Sequence, residues 1–532
     1  HALIAARIDR LPKAQKTVLQ RAAVIGRVFS AGAVAHLTPD LDGGSDAALN
    51  DLLLREFIVE EPRPLVSGER ALRFKHVLIR DVAYAGLAKA ARAAHHQKFA
   101  AWLQERTGDD LLELRAYHLE QAATLVAELD GEPPPELTRE AAEALEAAGR
   151  RALKRESFKS ARRLFLRAVE LEPTLERRYL AARAAWRLGD SRAVAREMEG
   201  VRSAAHQEAD NQLEGLALTA LADAALAQSA DVAGARALVE RALEVLADDD
   251  LAVRFEALMA RANVASRDLD HEEMESALER ALAVAQEAGR EDLEASATRA
   301  LASRYIHALE LDAAEPLVDR TVELAEASGS ALARAGAAHI RAQLDRARGR
   351  LEEAETGFAS AHELYADVGT VSGAAKSLLY LGRVRRQRGD LGGARKALRE
   401  AVKIMKSAGD RGYLCEALRS LAELAVLDGN LDEAERLALE AQDSVGPQDR
   451  VSISTTRLSL GLVRAAQGRD EDAEALLRQS LHELRVADAA SAELEALDDL
   501  AAFLRARGRE VEAAQLDERA EELTAPSAAP IA

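Results

Sequence analysis

The sequence predicts an all-α protein in which a small N-terminal domain with a β-hairpin precedes a long α-solenoid of about ten helical hairpins. With 532 residues, the chain is too long for one compact core. Aromatic residues make up only 3%, and glycine and proline together number 43, whereas alanine, leucine, glutamate and arginine dominate. This composition is typical of successive helices. The third observation is a long internal repeat.

The repeat is visible from about residue 290 onward and is marked by one recurring alanine. Its copies are 40, 40, 40, 39 and 40 residues apart. A period of this length indicates a solenoid, in which each unit buries its apolar face only against its neighbours. The recurring alanines are Ala314, Ala354, Ala394, Ala434, Ala473 and Ala513.

Small residues and glycines recur at fixed offsets from these alanines. The small residues predict close approach of neighbouring helices, with leucines filling the gaps between them. The glycines predict a left-handed turn that ends one helix and lets the next fold back. The small residues are Ala302, Ala342, Gly382, Ala422, Gly461 and Ala501, with Thr321, Ala361, Ala401, Ala441, Ser480 and Ala520. The turn glycines are Gly349, Gly389, Gly429, Gly468 and Gly508.

This pattern resembles the tetratricopeptide repeat, in the form with extended helices found in bacterial signalling proteins. The resemblance covers roughly residues 141–524. The early unit AGRRALKRESFKSARRLFLRAVELEP, residues 148–173, matches the family well, whereas the units between about 185 and 275 keep only part of the signature. Whether the solenoid is continuous through those units stays open at this stage.

The first 130 residues lack the repeat. HALIAARIDRLPKAQKTVLQRAAVIG predicts a helix, a break at proline and a second helix, and a short helix FSAGAVAHL follows. A further helix then runs into two strand-like stretches joined by a Pro/Gly/Ser turn, so that three helices and a hairpin predict a winged-helix-like domain. The predicted domains are 1–87 (winged-helix-like), 88–130 (helical bridge), 131–140 (linker), 141–524 (solenoid) and 525–532 (disordered tail).

A second resemblance rests on four segments taken in order: ARIDRLPKAQKTVLQRAAVIGRVFS, LLLREFIVEE, FKHVLIRDVAYAGL and LRAYHLEQAA. These are similar to the region that follows the nucleotide-binding core in bacterial STAND-type ATPase regulators. In that family, a winged-helix histidine contacts the phosphates of ADP held by the ATPase core. His76 lies where the resemblance places this nucleotide contact. The alternative is a hydrogen-bonded histidine at a strand-to-helix junction.

The resemblance implies a parent protein with an ATPase core that binds ADP or ATP, although the chain itself contains no G-x-x-x-x-G-K-[ST] motif. Because the sequence begins without methionine and inside a helical pattern, we expect it to be a piece of a longer protein. The effector is expected on the N-terminal side, and a nucleotide cyclase fits best. Alternatives are a Ser/Thr kinase, a LuxR-type transcription regulator, or a passive scaffold without a nucleotide switch. We expect neither a catalytic site nor a cofactor within this chain.

Charge disfavours nucleic acid as a partner. The net charge is −19, and residues 1–130 are balanced with 17 basic and 17 acidic side chains, so the whole excess lies in the later part. No apolar run reaches the length of a membrane helix. The single cysteine, Cys415, excludes an internal disulfide and, with no membrane segment, favours a cytoplasmic location. No metal site is predicted: His95, His96 and His118 are interpreted as a solvated helix face.

The first helix of each tetratricopeptide hairpin lines an inner groove, and in this chain those positions form a basic strip. It predicts a protein or peptide ligand with an acidic segment or a terminal carboxylate. The alternative is that these arginines are paired with glutamates of the next helix. The groove candidates are Arg299, His307, His339, Gln343, Arg346, Lys376, Arg383, Arg386, Gln387 and Arg419.

Overall fold

A computed structural model describes residues 1–41, 44–229, 231–247, 251–409, 411 and 413–525. In these residues 27 helices and three short strands confirm the predicted all-α class and its solenoid. The chain divides into two compact units: residues 1–155 with 160–178, and residues 156–159 with 179 onward. The predicted disordered tail lies outside the described residues, apart from Ala525. Within the described chain, we find no helix long and apolar enough to cross a membrane.

The first unit contains nine helices, a three-stranded sheet and the start of a tenth helix. Each predicted helix is present, and the helical bridge consists of two helices. The bounds are α1 (Ala2–Asp9), α2 (Lys13–Ile25), β1 (Val28–Ser30), α3 (Ala31–Leu37), α4 (Asp46–Leu54), β2 (Ile58–Glu60), β3 (Ala71–Phe74), α5 (Val77–Ala85), α6 (Lys89–Thr107), α7 (Leu112–Asp130), α8 (Pro135–Lys154) and α9 (Phe158–Leu171).

The sheet of the first unit contains one strand that the sequence analysis missed. The predicted hairpin strands β2 and β3 pair antiparallel, and β1 adds to the other edge of β3. The predicted helix FSAGAVAHL is therefore wrong at its start, because Phe29 and Ser30 belong to β1. Ser30 caps α3 by accepting a hydrogen bond from the backbone N–H of Ala33. Phe29 is buried against Phe74, with ring centroids 5.3 Å apart, so tertiary packing overrides the helical pattern.

The second unit continues as helical hairpins. Together with the hairpin of α8 and α9, its helices form ten pairs among the described residues, as predicted. The bounds are α10 (Leu175–Leu188, which crosses the division between units), α11 (Ser191–Glu208), α12 (Asn211–Ser229), α13 (Val232–Val245), α14 (Leu251–Asp268), α15 (His271–Glu287), α16 (Glu291–His307), α17 (Leu311–Ser328), α18 (Ala331–Ala347), α19 (Leu351–Val368), α20 (Val371–Gln387), α21 (Leu391–Ala408), α22 (Leu414–Leu427), α23 (Leu431–Ser444), α24 (Arg450–Ala466), α25 (Asp470–Val486), α26 (Ala490–Arg505) and α27 (Glu510–Thr524).

The repeat residues take the roles that their spacing predicts. The five turn glycines have φ between 73° and 85°, a left-handed conformation that is costly for other residues. The small residues permit close packing: a Cβ added at Gly382 would lie 2.6 Å from Cγ of Leu398. Ala342, Ala422 and their counterparts are fully buried at the same position. The 40-residue period therefore reflects a steric requirement that each hairpin repeats.

The even-numbered helices form the inner side of the second unit. Several pairs of consecutive members contact one another directly, as α12 does α14, α16 does α18, and α22 does α24. Because helices on the inside of a curve lie closer together than those outside, this places the even-numbered helices on the concave face. The coil also contacts itself: Arg267 of α14 forms a 2.8 Å ion pair with Asp449, which caps α24. We call the surface lined by α16, α18, α20 and α22 the inner groove.

Candidate ligand-binding groove

All ten predicted groove residues lie on the inner helices. Arg299 and His307 are on α16, His339, Gln343 and Arg346 on α18, Lys376, Arg383, Arg386 and Gln387 on α20, and Arg419 on α22. Their surroundings differ, however. Gln343 is buried and Gln387 is exposed. The charged residues divide into a basic cluster (Arg299, His307, His339, Arg346 and Lys376) and a paired network that contains Arg383, Arg386 and Arg419.

Two cations of the basic cluster, Arg346 and Lys376, have aromatic neighbours in place of carboxylates. The guanidinium of Arg346 lies 5.7 Å from the ring centre of Tyr380, and Nζ of Lys376 lies 4.6 Å from that of Tyr413. Within the described chain, neither these two cations nor Arg299 is within ion-pair distance of a carboxylate. In addition, Nε of Arg346 is buried without a hydrogen bond. Cation–π contacts stabilise and orient the cations but leave their charge uncompensated.

The two histidines of the basic cluster are neutral at neutral pH. His339 is 5% exposed and lies edge-on to Phe358 and Tyr380. Burial, and then the positive charges of Lys376 and Arg299, hold the pKa of His339 well below its ordinary value. The side chain of His307 is exposed, but desolvation within the groove also lowers its pKa, with a smaller effect of Lys376 in the same direction. The charge of the cluster therefore comes from its arginines and lysine.

The tautomer of His339 follows from its local hydrogen bonds. Ser377 donates its hydroxyl to the carbonyl of Gly373 at 3.0 Å, so its Oγ accepts from Nδ1–H of His339 at 2.9 Å. This leaves Nε2 of His339 buried without a partner.

Burial acts to lower the pKa of Lys376, but the neighbouring Tyr413 and Tyr380 outweigh it and the pKa is raised. Lys376 is therefore charged at neutral pH.

The paired network is the other half of the predicted basic strip, and its charges cancel. Arg419, 3% exposed, donates to both oxygens of Glu495 at 2.8 and 2.9 Å and to Glu416 at 3.0 Å. Arg383 donates to Glu416, and Arg386 lies 3.2 Å from Glu423. Three arginines thus face three glutamates. For these arginines the alternative interpretation is correct in that they are paired with glutamates, but the partners lie on the inner helices α22 and α26 and not on the next helix of the chain.

Titration properties show how strongly the network is coupled. Although burial would raise the pKa of Glu416, Arg419 and Arg383 hold it far below its ordinary range. The fourth acidic group, Asp499, has no such partner: burial, followed by the charges of Glu495 and Glu423, raises its pKa to about 7. The sequence analysis missed Glu495 and Asp499, which lie on α26, two inner helices beyond α22. Their spacing of four residues on an inner helix was the available signal.

His76, the predicted nucleotide contact, lies in the first unit. It is the N-cap residue of α5, directly after β3, with φ −134° and ψ 139°. Its side chain is exposed and forms no capping hydrogen bond. Nearby, Arg80 pairs with Asp81 at 3.0 Å and donates to the carbonyl of Ala23 at 3.1 Å. The imidazole of His76 is thus free to meet a group from outside the first unit.

The prediction of a solvated histidine face is wrong. His96 of α6 and His118 of α7 are 1% and 0% exposed, and their Nδ1 atoms are 2.7 Å apart. Nε2 of His96 is also 3.0 Å from the hydroxyl of Tyr84. The sequence could not reveal this, because 22 residues separate histidines that only the packing of α6 on α7 brings together. No group of three or more metal-ligating side chains occurs among the described residues.

With the fold and groove in place, the protein can be classed as a tetratricopeptide-repeat solenoid, a fold used for protein interaction. Residues 334–407, from α18 to α21, match the tetratricopeptide repeat model. A comparison with curated proteins finds no match.

Solved structures that resemble this chain include a Rap protein, a phosphatase and a STAND protein. A Rap protein complexed with competence and sporulation factor is 13% identical, with a TM-score of 0.51 over 73% of this chain and 98% of that chain. Aspartyl phosphate phosphatase F from Bacillus subtilis is 12% identical, with a TM-score of 0.42 over 65% and 96%. A STAND protein with a tetratricopeptide repeat sensor from Pyrococcus horikoshii is 14% identical, with a TM-score of 0.31 over 98% and 64%. At these identities the likeness concerns the fold.

Proposed function

We propose that the second unit is a receptor that binds an acidic segment or terminal carboxylate of a protein or peptide in the inner groove. The observation that carries this proposal is the uncompensated charge of Arg299, Arg346 and Lys376. Enclosed charges are unfavourable unless paired, so a site that retains them is suited to an anionic partner. The Rap structure was solved with competence and sporulation factor, which supports the assignment of a ligand to this kind of solenoid.

Reversing charge in the basic cluster tests the receptor proposal. Proteins captured from a lysate of the source cells by the full-length chain should be lost when Lys376→Glu and Arg346→Glu are combined, because the groove would then repel an anion. Arg436→Glu is a matched control, since Arg436 lies on the outer helix α23 and its side chain is 57% exposed. Quantitative mass spectrometry of the bound fraction reads out the difference. Equal capture by the groove variant and the control would refute binding in the groove.

We further propose that the chain is the sensor arm of a cytoplasmic multidomain regulator in which an N-terminal STAND ATPase controls an effector. Ligand binding in the groove would shift the population from a closed to an open state in proportion to its differential affinity. The proposed effector is a nucleotide cyclase, with a Ser/Thr kinase or a LuxR-type regulator as alternatives. A passive scaffold is the competing function. Support for the switch comes from the exposed His76 at the start of α5.

His76→Ala distinguishes the switch from the scaffold in the protein that carries the ATPase core. If His76 donates to a phosphate of bound ADP, its removal should weaken ADP retention about tenfold or more, in line with one lost charge-assisted hydrogen bond. Retained nucleotide is measured after gel filtration. Because the side chain is exposed, the first unit should keep its stability. Unchanged ADP retention would refute the proposed contact between His76 and the nucleotide and would favour the scaffold.

A further inference from the structure

Among the described residues, no carboxylate lies within ion-pair distance of the three cations of the basic cluster, and Glu495, which acts on Arg346 from farther away, is bonded to Arg419. In the neighbouring paired network the three arginines are matched by Glu416, Glu423 and Glu495, so no carboxylate is spare. The additional carboxyl group, Asp499, is influenced by Arg419 and Arg386 of that network and not by the basic cluster. The three cations of the cluster therefore constitute a local surplus.

These cations are close enough to act on one group. Lys376 and Arg346 both lower the pKa of His307, and Lys376 and Arg299 both lower that of His339. The contacts agree: the ring of Tyr380 is 5.4 Å from that of His339 and 5.7 Å from the guanidinium of Arg346, and Nδ1 of His339 bonds Ser377, the residue after Lys376. The side chain of Arg299 lies beside Gly336, on the same helix as His339. The cations therefore converge from three successive inner helices, α16, α18 and α20.

Aromatic side chains hold the cations in place without neutralising them. Tyr380 lies between Arg346 and Arg383, whose guanidinium carbons are 5.7 and 5.8 Å from its ring centre. Tyr413 contacts Nζ of Lys376 from one side. Because these contacts restrict the side chains before a ligand arrives, less conformational entropy remains to be lost on binding.

Charge matching decides the class of anion. A single carboxylate, as at a peptide terminus, supplies one negative charge and leaves two of the three cations uncompensated, and an acidic segment would have to bring several mutually repelling carboxylates to one point. A phosphate monoester carries close to two negative charges at neutral pH and offers three acceptor oxygens. Arginine binds phosphate through its planar fork, and lysine adds a compact point charge. Because His307 and His339 are neutral at neutral pH, the ligand has only the charge of the three cations to compensate.

We propose that Arg299, Arg346 and Lys376 form a subsite for a phosphate monoester dianion. This inference rests on the proposed ligand-binding role of the inner groove and names the chemistry of its anchor. The phosphate belongs either to a phosphorylated side chain of the bound protein or to a small phosphorylated molecule.

Titrations of the full chain with simple anions test the subsite. Inorganic phosphate at pH 7.5 should bind at least tenfold more tightly than acetate at equal ionic strength, measured by calorimetry. Lowering the pH to 5.5 should weaken phosphate binding, because phosphate loses its second charge, whereas sulfate should keep its affinity. A phosphoserine peptide and its serine and glutamate counterparts then separate the two sources. If the phosphopeptide binds more tightly than inorganic phosphate, the natural ligand is a phosphorylated side chain. If phosphate binds and the peptide adds no affinity, the natural ligand is a small phosphorylated molecule.

Substitutions localise the binding. Arg346→Gln and Lys376→Gln should each weaken phosphate binding about tenfold or more, and Arg436→Gln on the outer helix should leave it unchanged. Circular dichroism establishes that each variant is folded, and Lys376→Gln decides alone if Arg346→Gln is not. Equal affinity for acetate and phosphate, or unchanged affinity in a folded Lys376→Gln protein, would overturn the inference. If the unmodified chain captures protein in a groove-dependent way but does not bind phosphate, the subsite alone is refuted. If it binds phosphate but captures no protein through the groove, the receptor proposal is refuted.

Discussion

Arg419→Met should reduce the free energy of unfolding of the second unit by about 3–5 kcal/mol, the usual cost of removing one partner from a buried ion pair. Methionine fills a similar volume, so the effect is electrostatic. Without Arg419, Glu495 loses both of its hydrogen bonds from the guanidinium, and Glu416 and Glu423 each lose one. Glu416 and Glu423 keep Arg383 and Arg386, so the cost arises mainly at the partly buried Glu495, which is left without an ion-pair partner among the described residues.

Two comparisons distinguish the cost of breaking the paired network from the cost of removing any arginine. Arg436→Met removes an exposed cation that pairs with Glu433 and Glu440, and it should cost less than about 1 kcal/mol. Adding Glu495→Gln to Arg419→Met should restore part of the stability, since the double variant removes both charges of one pair. Urea unfolding followed by circular dichroism gives the free energies, and hydrogen exchange reports on α22 and α26. A loss below 1 kcal/mol for Arg419→Met would contradict the network.

Lowering the pH from 7 to 5 should destabilise the first unit. Burial, with help from Arg80, lowers the pKa of His96 to about 4, and burial also holds the pKa of His118 well below its ordinary value. Both imidazoles remain neutral in the folded state and take up protons on unfolding below pH 6.5. Their stabilising contribution is therefore complete above pH 6.5 and falls as the pH falls toward 4. Between pH 7 and 5 we expect a loss of about 2 kcal/mol for each.

The charged and titratable groups around this pair all act in the same sense. Arg80 lies on α5 and Arg92 on α6, and their positive charges disfavour an imidazolium. His95 of α6 acts in the same sense only once it is protonated, since its own pKa is lowered to about 4. A backbone hydrogen bond at Ile25 opposes these effects at His118. Conversion of both rings to imidazolium is also excluded by geometry, because the two Nδ1 atoms are 2.7 Å apart and only one hydrogen fits between them.

Fluorescence gives a readout confined to the first unit. The chain has two tryptophans, and Trp186→Phe leaves Trp102, which is 4% exposed on α6 and stacks on Phe99. In that background, replacing both His96 and His118 by glutamine should flatten the dependence of the unfolding midpoint on pH between 7 and 5. The exposed His482→Gln is the control and should leave it unchanged. An unaltered pH dependence in the double variant would contradict the role of the pair.

Sequence determined the architecture because the repeat is a local steric rule. A glycine that must adopt positive φ, followed five residues later by an alanine on which a helix packs, recurs in the last five hairpins regardless of what the groove contains. The hairpin strands β2 and β3 were likewise visible from alternation and turn residues. The third strand was not, because Val28–Ser30 becomes a strand only by pairing with residues 71–73, more than forty positions away.

The composition of the groove followed from the sequence, but its charge balance did not. The repeat register placed all ten candidates on inner helices. Whether a cation there is free or paired depends on a carboxylate contributed by another helix, as Glu495 of α26 does for Arg419 of α22 across 76 residues. The histidine pair illustrates the same limit in the first unit. Periodicity reports which face a residue occupies, whereas ion pairs and pKa values depend on distances between faces, and only the tertiary structure sets those distances.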